Sequence, residues 1–217
     1  MIPPTLTLYL IRHGETDWNA QKRMQGRRDI PLNAIGEEQA RISGNILKWL
    51  LPPLQPMDFI ASPLLRTRQT MELVRQELTL PAHDYRNDER LIEISFGNWE
   101  GFTLADIDQQ QPAALLERQK DTFSFTPTGG ENYPAVIERM RSFLQSLHRD
   151  TVIVAHAGIV RSLLAMLGDV PTADIAHLEI PQDKVLMLRN GRFFWITGND
   201  RPDGNPHTPL DSQRAAD

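Results

Sequence analysis

Two short apolar runs set the limits on what this chain can fold into. Thr5–Ile11 reads Thr-Leu-Thr-Leu-Tyr-Leu-Ile and Thr151–Ala155 reads Thr-Val-Ile-Val-Ala, neither with a charged side chain. Both fall far short of the roughly 18 residues that a membrane-spanning helix needs. Their leucine and β-branched content suits strands buried on both faces, and such strands need helices packed above and below them.

The intervening sequence supplies those helices. Gly36–Leu51 reads as a helix closed by Pro52-Pro53, and Phe59–Ala61 as a second short strand. A helix follows Pro63, with Leu65, Met71, Val74 and Leu78 near one face. Asn132 is an N-cap for a helix over Asn132–His148, where Val136, Met140, Phe143, Leu144 and Leu147 keep helical spacing. Gly158–Leu167 reads as a helix with Gly168 as its C′ residue. Leu178–Leu188 reads as a strand region broken at Pro181. Asn190-Gly191 reads as a type I′ hairpin turn, and Arg192–Thr197 as its return strand. Strands alternating with helices predict an α/β fold around a mostly parallel sheet. One domain is expected over residues 1–197. Asp88–Gly130, with several glycines and prolines, is expected as an insertion over one end of the sheet. The tail at 198–217 is expected to be disordered.

Composition narrows the function classes. The 217 residues contain no cysteine, which excludes a disulfide framework, a Cys-ligated zinc and a thiol nucleophile. With 23 basic and 28 acidic residues, the net charge of −5 gives no general footprint for nucleic acid. No membrane segment or secretory leader is readable, and a cytoplasmic protein is expected. No HxH, HExxH or aspartate cluster has metal-ligand spacing, so neither a metal nor another cofactor is expected.

The chemistry gathers at strand ends. The first strand runs into Arg12-His13-Gly14-Glu15-Thr16, and Thr151–Ala155 runs into His156-Ala157-Gly158. Both histidines therefore sit where open α/β sheets place their ligands. The turn after His156 feeds a helix N-terminus, a ready anion site. The Phe59–Ala61 strand leads through Ser62-Pro63 into a helix with Arg66 in its first turn. Two guanidiniums, two imidazoles and a helix N-terminus suit the three oxygens of a phosphoryl group, and imidazole is also a nucleophile.

With these residues in place, the chain resembles the histidine phosphatase superfamily, in its phosphoglycerate-mutase-like clade. Arg12-His13-Gly14-Glu15-Thr16 with Trp18-Asn19 is similar to that family's signature. Ser62-Pro63-Leu64-Leu65-Arg66-Thr67 resembles its second motif, and Glu93 through Gly101 its acid-bearing motif. Thr128-Gly129-Gly130-Glu131 and Val154-Ala155-His156-Ala157-Gly158 resemble the last two. The resemblance implies a three-layer α/β/α architecture with a small helical insertion over the active-site end. It implies a metal-independent phosphomonoesterase acting on a small phosphorylated metabolite, with His13 as the nucleophile that becomes a phosphohistidine. Arg12, Arg66 and His156 would bind the phosphoryl oxygens. Glu93 would protonate the leaving oxygen and then activate water. Asn19, Gln25, Gly26 and the Ala157 N–H would add contacts.

Two other readings stay open at this level. A cofactor-dependent phosphoglycerate mutase shares the nucleophile, but mutases typically carry Phe-Thr-Gly where this chain has Met24-Gln25-Gly26, and a longer insertion after the acid. A non-catalytic phospho-ligand module would have lost the nucleophile or the acid, yet His13, Arg66, Glu93 and His156 are all present. Glu89 is the alternative acid. Glu15 is expected to be structural, and Arg68 and Arg75 to be surface residues. The return strand Arg192–Thr197 is an edge that could support a homodimer.

Overall fold

In β1 (Leu8–Arg12), Leu8 and Leu10 turn to one side of the strand and Tyr9 and Ile11 to the other, and none is more than 4% exposed. β4 (Thr151–Ala155) divides the same way, Ile153 and Ala155 against Val152 and Val154. Two apolar cores on opposite faces of one sheet follow directly from this period of two. The computed structural model describes residues 6–51, 56–167 and 170–200.

The other strands are β2 (Asp58–Ala61), β3 (Arg86–Asn87), β5 (Val185–Arg189) and β6 (Arg192–Ile196). The sheet order is β3-β2-β4-β1-β5-β6. The first four are parallel, β5 runs against β1, and β6 runs against β5. The helices are α1 (Asp17–Ala20), α2 (Ala34–Leu50), α3 (Leu65–Glu77), α4 (Leu104–Gln110), α5 (Pro112–Lys120), α6 (Tyr133–Gln145), α7 (Ala157–Leu167) and α8 (Thr172–Ile175). Ile46 and Leu47 of α2 and Met71 and Val74 of α3 pack on one face of the sheet. Val136, Met140 and Phe143 of α6 and Ile159 and Leu163 of α7 pack on the other. This is the three-layer α/β/α sandwich expected. No helix among the described residues is long and apolar enough to cross a membrane.

Local chemistry places the helix starts. Asn132 Oδ1 accepts from Ala135 N at 3.0 Å and Asn33 Oδ1 from Gly36 N at 2.9 Å, so α6 and α2 are capped by their own N-cap residues. Leu64, the N-cap of α3, makes no such bond. Asp29 instead reaches from the preceding loop to accept from Leu65 N at 2.6 Å. Asn190 and Gly191 both take positive φ, 53° and 72°, and join β5 to β6 with Arg189 opposite Arg192.

Three expectations need correction. The region Leu178–Leu188 is a strand only from Val185, because Ile180 O and the Gln182 side chain instead bond Arg12 and His13 at the carboxyl end of β1. Gly198–Asp200 forms one 3-10 turn, in which Asp200 Oδ2 accepts from Thr197 N at 2.7 Å, so the predicted tail does not begin at 198. Arg75 is 3% exposed: its Nε donates to Pro81 O at 2.8 Å and its guanidinium lies 4.5 Å from the Phe59 ring centre. Thr5, Pro52-Pro53, Gly168 and residues 201–217 lie outside the described residues.

Candidate active site

Because β2, β4 and β1 are adjacent and parallel, with Ala61 opposite Val154 and Arg12 opposite Ala155, their carboxyl ends meet at one edge. Ser62, His156 and His13 follow directly. His13 N donates to Ala155 O at 3.0 Å, which ties the two histidine-bearing turns together. The imidazole rings stand edge to face, centres 5.1 Å apart at 62°.

His13 is 3% exposed. Its Nδ1 lies 2.7 Å from Gly14 O, which can only accept, so Nδ1 carries the ring proton. Nε2 therefore holds a lone pair, and Arg66 Nε donates to it at 3.2 Å. Burial first, then the charges of Arg66 and Arg12, holds the ring's pKa well below 6.5, so at neutral pH the imidazole is an uncharged nucleophile. Gly14 has to be glycine, since a Cβ there would come 2.1 Å from Gly36 O.

Arg66 is wholly buried. Besides His13 it donates through Nη1 to Arg28 O at 2.7 Å and through Nη2 to Gly26 O at 2.9 Å. Those two carbonyls belong to the loop carrying Gln25. Gly26 takes φ 50°, and Glu100 pins the loop by accepting from Arg27 N at 3.0 Å. Arg12 Nη1 donates to Ile180 O at 2.8 Å, while its Nε is buried without a partner among the described residues. Burial pushes both guanidiniums down to about 10, with Arg161 the next cause at Arg12, so both stay charged at neutral pH.

Glu93, 8% exposed, accepts from Ile94 N at 2.9 Å and from Gly158 N at 3.3 Å, so it caps α7 from outside that helix. Burial raises its pKa. The two N–H groups and the charges of Arg66 and Arg161 oppose this without cancelling it. A carboxyl poised upward is what a general acid requires. Gly158 leaves the room: a Cβ there would come 2.5 Å from Glu93 Oε1.

The structure thus brings Arg12, His13, Arg66, Glu93 and His156 to one sheet edge. Ala157 opens α7 beside them. Gln25 is 7% exposed, and its Oε1 has no partner among the described residues. Asn19 Oδ1 is engaged by Thr16 N and Thr16 Oγ1, both at 3.1 Å, and by Gln182 Nε2 at 3.3 Å, which leaves only its Nδ2 to donate elsewhere. Glu89 is exposed, and Glu15 accepts from Asn33 Nδ2 at 3.0 Å beside the start of α2.

Sequence reasoning missed Gln182, whose Nε2 donates to His13 O at 3.0 Å as well as to Asn19. A signal was present. The antiparallel partner of β1 must begin where β1 ends, so a polar residue just before that strand falls beside the nucleophile. It also missed Glu100 as the loop's anchor and Thr70, whose Oγ1 accepts from Gly14 N at 3.1 Å.

The chain is similar to known proteins in sequence and in fold. Residues 8–195 match the family model described as histidine phosphatase superfamily (branch 1). A glucosyl-3-phosphoglycerate phosphatase of Mycobacterium tuberculosis is 33% identical over 180 residues, 77% of each protein. An adenosylcobalamin/alpha-ribazole phosphatase of Salmonella typhimurium is 29% identical over 183 residues, 82% of this chain and 87% of the relative. The mycobacterial glucosyl-3-phosphoglycerate phosphatase solved as a complex with VO3 superposes with a TM-score of 0.73 at 29% identity, covering 88% of this chain and 97% of that one.

Proposed function

The chain belongs to the histidine phosphatase superfamily and is a phosphomonoesterase, and on that premise we propose that it works through a phosphohistidine on His13 Nε2, with no metal. The observation that carries this is the pair of bonds on the His13 ring. Gly14 O takes the Nδ1 proton at 2.7 Å, so the lone pair is on Nε2, against Arg66. Nε2 attacks phosphorus and the ester P–O bond breaks. Glu93 gives its proton to the leaving oxygen. Water then attacks the phosphohistidine, Glu93 takes the water's proton, and the P–N bond electrons return to Nε2. Arg12, Arg66 and the N-terminus of α7 hold the phosphoryl oxygens throughout. Phosphoryl transfer asks the protein chiefly for such positioning and charge. The buried Arg12 Nε and His156 Nδ1 are polar groups that a dianion would satisfy.

The surroundings of Glu93 also favour a class of substrate. Arg161 acts electrostatically on both Arg12 and Glu93, and Arg118 on Tyr133, which Arg161 also reaches. Neither Arg161 nor Arg118 is in an ion pair among the described residues; Arg161 Nε donates to Leu178 O at 2.8 Å, and its guanidinium also hydrogen-bonds Tyr133. A leaving group with its own carboxylate or phosphate suits this cationic wall. That favours a phosphoglycerate-type metabolite, as named for the mycobacterial relatives, over a neutral alcohol.

The remaining proposals are coarser. Residues 1–197 form the catalytic domain. The cytoplasm is the compartment in which charged metabolites are retained. β6 at the sheet edge is the surface on which a homodimer would rest. The test is hydrolysis of p-nitrophenyl phosphate in excess EDTA by wild type and His13→Ala. Turnover by wild type alone is expected, with kcat/KM higher for phosphoglycerate than for glycerol phosphate. Activity that EDTA abolishes, or that survives in His13→Ala, overturns the route.

A further inference from the structure

A buried pair lies one step behind this chemistry. Ser62, at the end of β2, places its Oγ 2.7 Å from Nε2 of His156. Both residues are wholly buried, and the other ring nitrogen, Nδ1, has no partner among the described residues. A neutral imidazole has one N–H and one lone pair, so whatever Nε2 does decides what Nδ1 can offer. Burial and the charges of Arg66, His13, Arg12 and Arg139 keep this ring neutral, so its tautomer matters.

The surroundings of Ser62 select between the two tautomers. Its main chain is already engaged: N donates to Val154 O at 3.0 Å, and O accepts from Thr67 Oγ1 at 2.8 Å. Leu64 N lies 3.5 Å from its Oγ as a donor. Among the described residues the buried hydroxyl hydrogen has no acceptor other than His156 Nε2, which puts the ring proton on Nδ1. The opposite assignment would present an Nδ1 lone pair to phosphoryl oxygens, where a donor is needed.

We propose that Ser62 is a positioning residue that holds His156 as its Nδ1–H tautomer, so that Nδ1 donates to the phosphoryl group in flight. This rests on His156 being a phosphoryl ligand. A serine suits the post because its hydroxyl can donate to the neutral ring and, by rotating, accept from an imidazolium. Alanine can do neither.

The test is spectroscopic and needs no turnover. In full-length protein labelled with 15N-histidine and free of ligand, long-range 15N–1H correlations report each ring nitrogen. His156 Nδ1 is expected protonated and Nε2 bare. In Ser62→Ala the ring is expected to leave that state, and orthovanadate binding to weaken at least tenfold, about 1.4 kcal/mol. Ser62→Cys, with a weak donor in nearly the same volume, should fall between. A protonated Nε2 in wild type overturns the proposal. So does a Ser62→Ala protein that keeps the wild-type tautomer, or one whose vanadate affinity stays within twofold. Should the alanine variant fail to fold, the wild-type spectrum and Ser62→Cys decide. The expected spectra in a protein that hydrolyses no phosphomonoester would sink the proposed catalytic route and leave the Ser62–His156 assignment standing.

Discussion

Replacing Glu93 by glutamine separates the acid from everything else in the site. The substitution keeps shape and volume but exchanges one oxygen for NH2 in a group that accepts from Ile94 N at 2.9 Å and Gly158 N at 3.3 Å. One of those N–H groups must then face a donor. A buried donor left unmatched costs about 1–3 kcal/mol, which for a chain of this length lowers Tm by roughly 2–12 °C. The kinetic effect should be larger and selective. General acid catalysis contributes about 10²–10⁴-fold, or ~2.7–5.4 kcal/mol of barrier. An alkyl phosphate should lose all of it, because an alkoxide cannot leave unprotonated. A nitrophenyl phosphate should lose little in the first step and most in the second, where the same carboxylate activates water. The assay is stopped-flow release of p-nitrophenol beside steady-state release of phosphate from glycerol phosphate. Glu93→Gln should give a burst approaching one nitrophenol per enzyme, then slow turnover, with alkyl activity nearly gone. Equal losses on both substrates, with no burst, would refute the assignment of acid and base to Glu93.

Other outcomes follow from the same geometry. Gly158→Ala should imitate Glu93→Gln, since its Cβ would come 2.5 Å from Glu93 Oε1 and 2.7 Å from Ile94 Cγ2; alkyl phosphate turnover should drop at least tenfold more than aryl turnover. Arg66→Lys should cost about 10²–10³ in kcat, because one ammonium cannot hold His13 Nε2, Arg28 O and Gly26 O together; steady-state kinetics on an aryl phosphate measures it. Stability should fall on acidification. His13 and His156 have folded pKa values well below 6.5, so the unfolded chain takes up protons first, and Tm should drop as pH falls from about 7 towards 5. The raised pKa of Glu93 works in the opposite sense, but it is one group against two. Replacing His156 with asparagine should flatten this acid limb in thermal melts.

Much of this was legible because the decisive signals are local. Thr151–Ala155 can only be a doubly buried strand, and it is one, with the bounds expected. Asn132 caps its helix and Asn190-Gly191 makes its hairpin, since each needs only its immediate neighbours. The two histidines are legible because a parallel sheet brings its carboxyl ends to one edge, whereas only the resemblance of its motif separates Arg66 from Arg68 and Arg75. What stayed hidden depends on partners far along the chain. Asp29 caps α3 across 36 positions, and Gln182 reaches His13 across 169. Arg75 looked like a surface arginine because nothing nearby announces Phe59 and Pro81 as its neighbours. The strand before the hairpin begins late because Ile180 O and Gln182 turn toward Arg12 and His13 instead of pairing in a ladder.

The central claim is the covalent one, and trapping tests it most directly. Glu93→Gln enzyme would be mixed with p-nitrophenyl phosphate in excess EDTA and quenched with alkali, which preserves a phosphorus–nitrogen bond. The peptide spanning residues 8–20 would then be weighed by mass spectrometry. One phosphoryl group is expected on His13 in that variant, and none in a protein that also carries His13→Ala. An unmodified peptide during active turnover, or a phosphoryl group on any other residue, would contradict it.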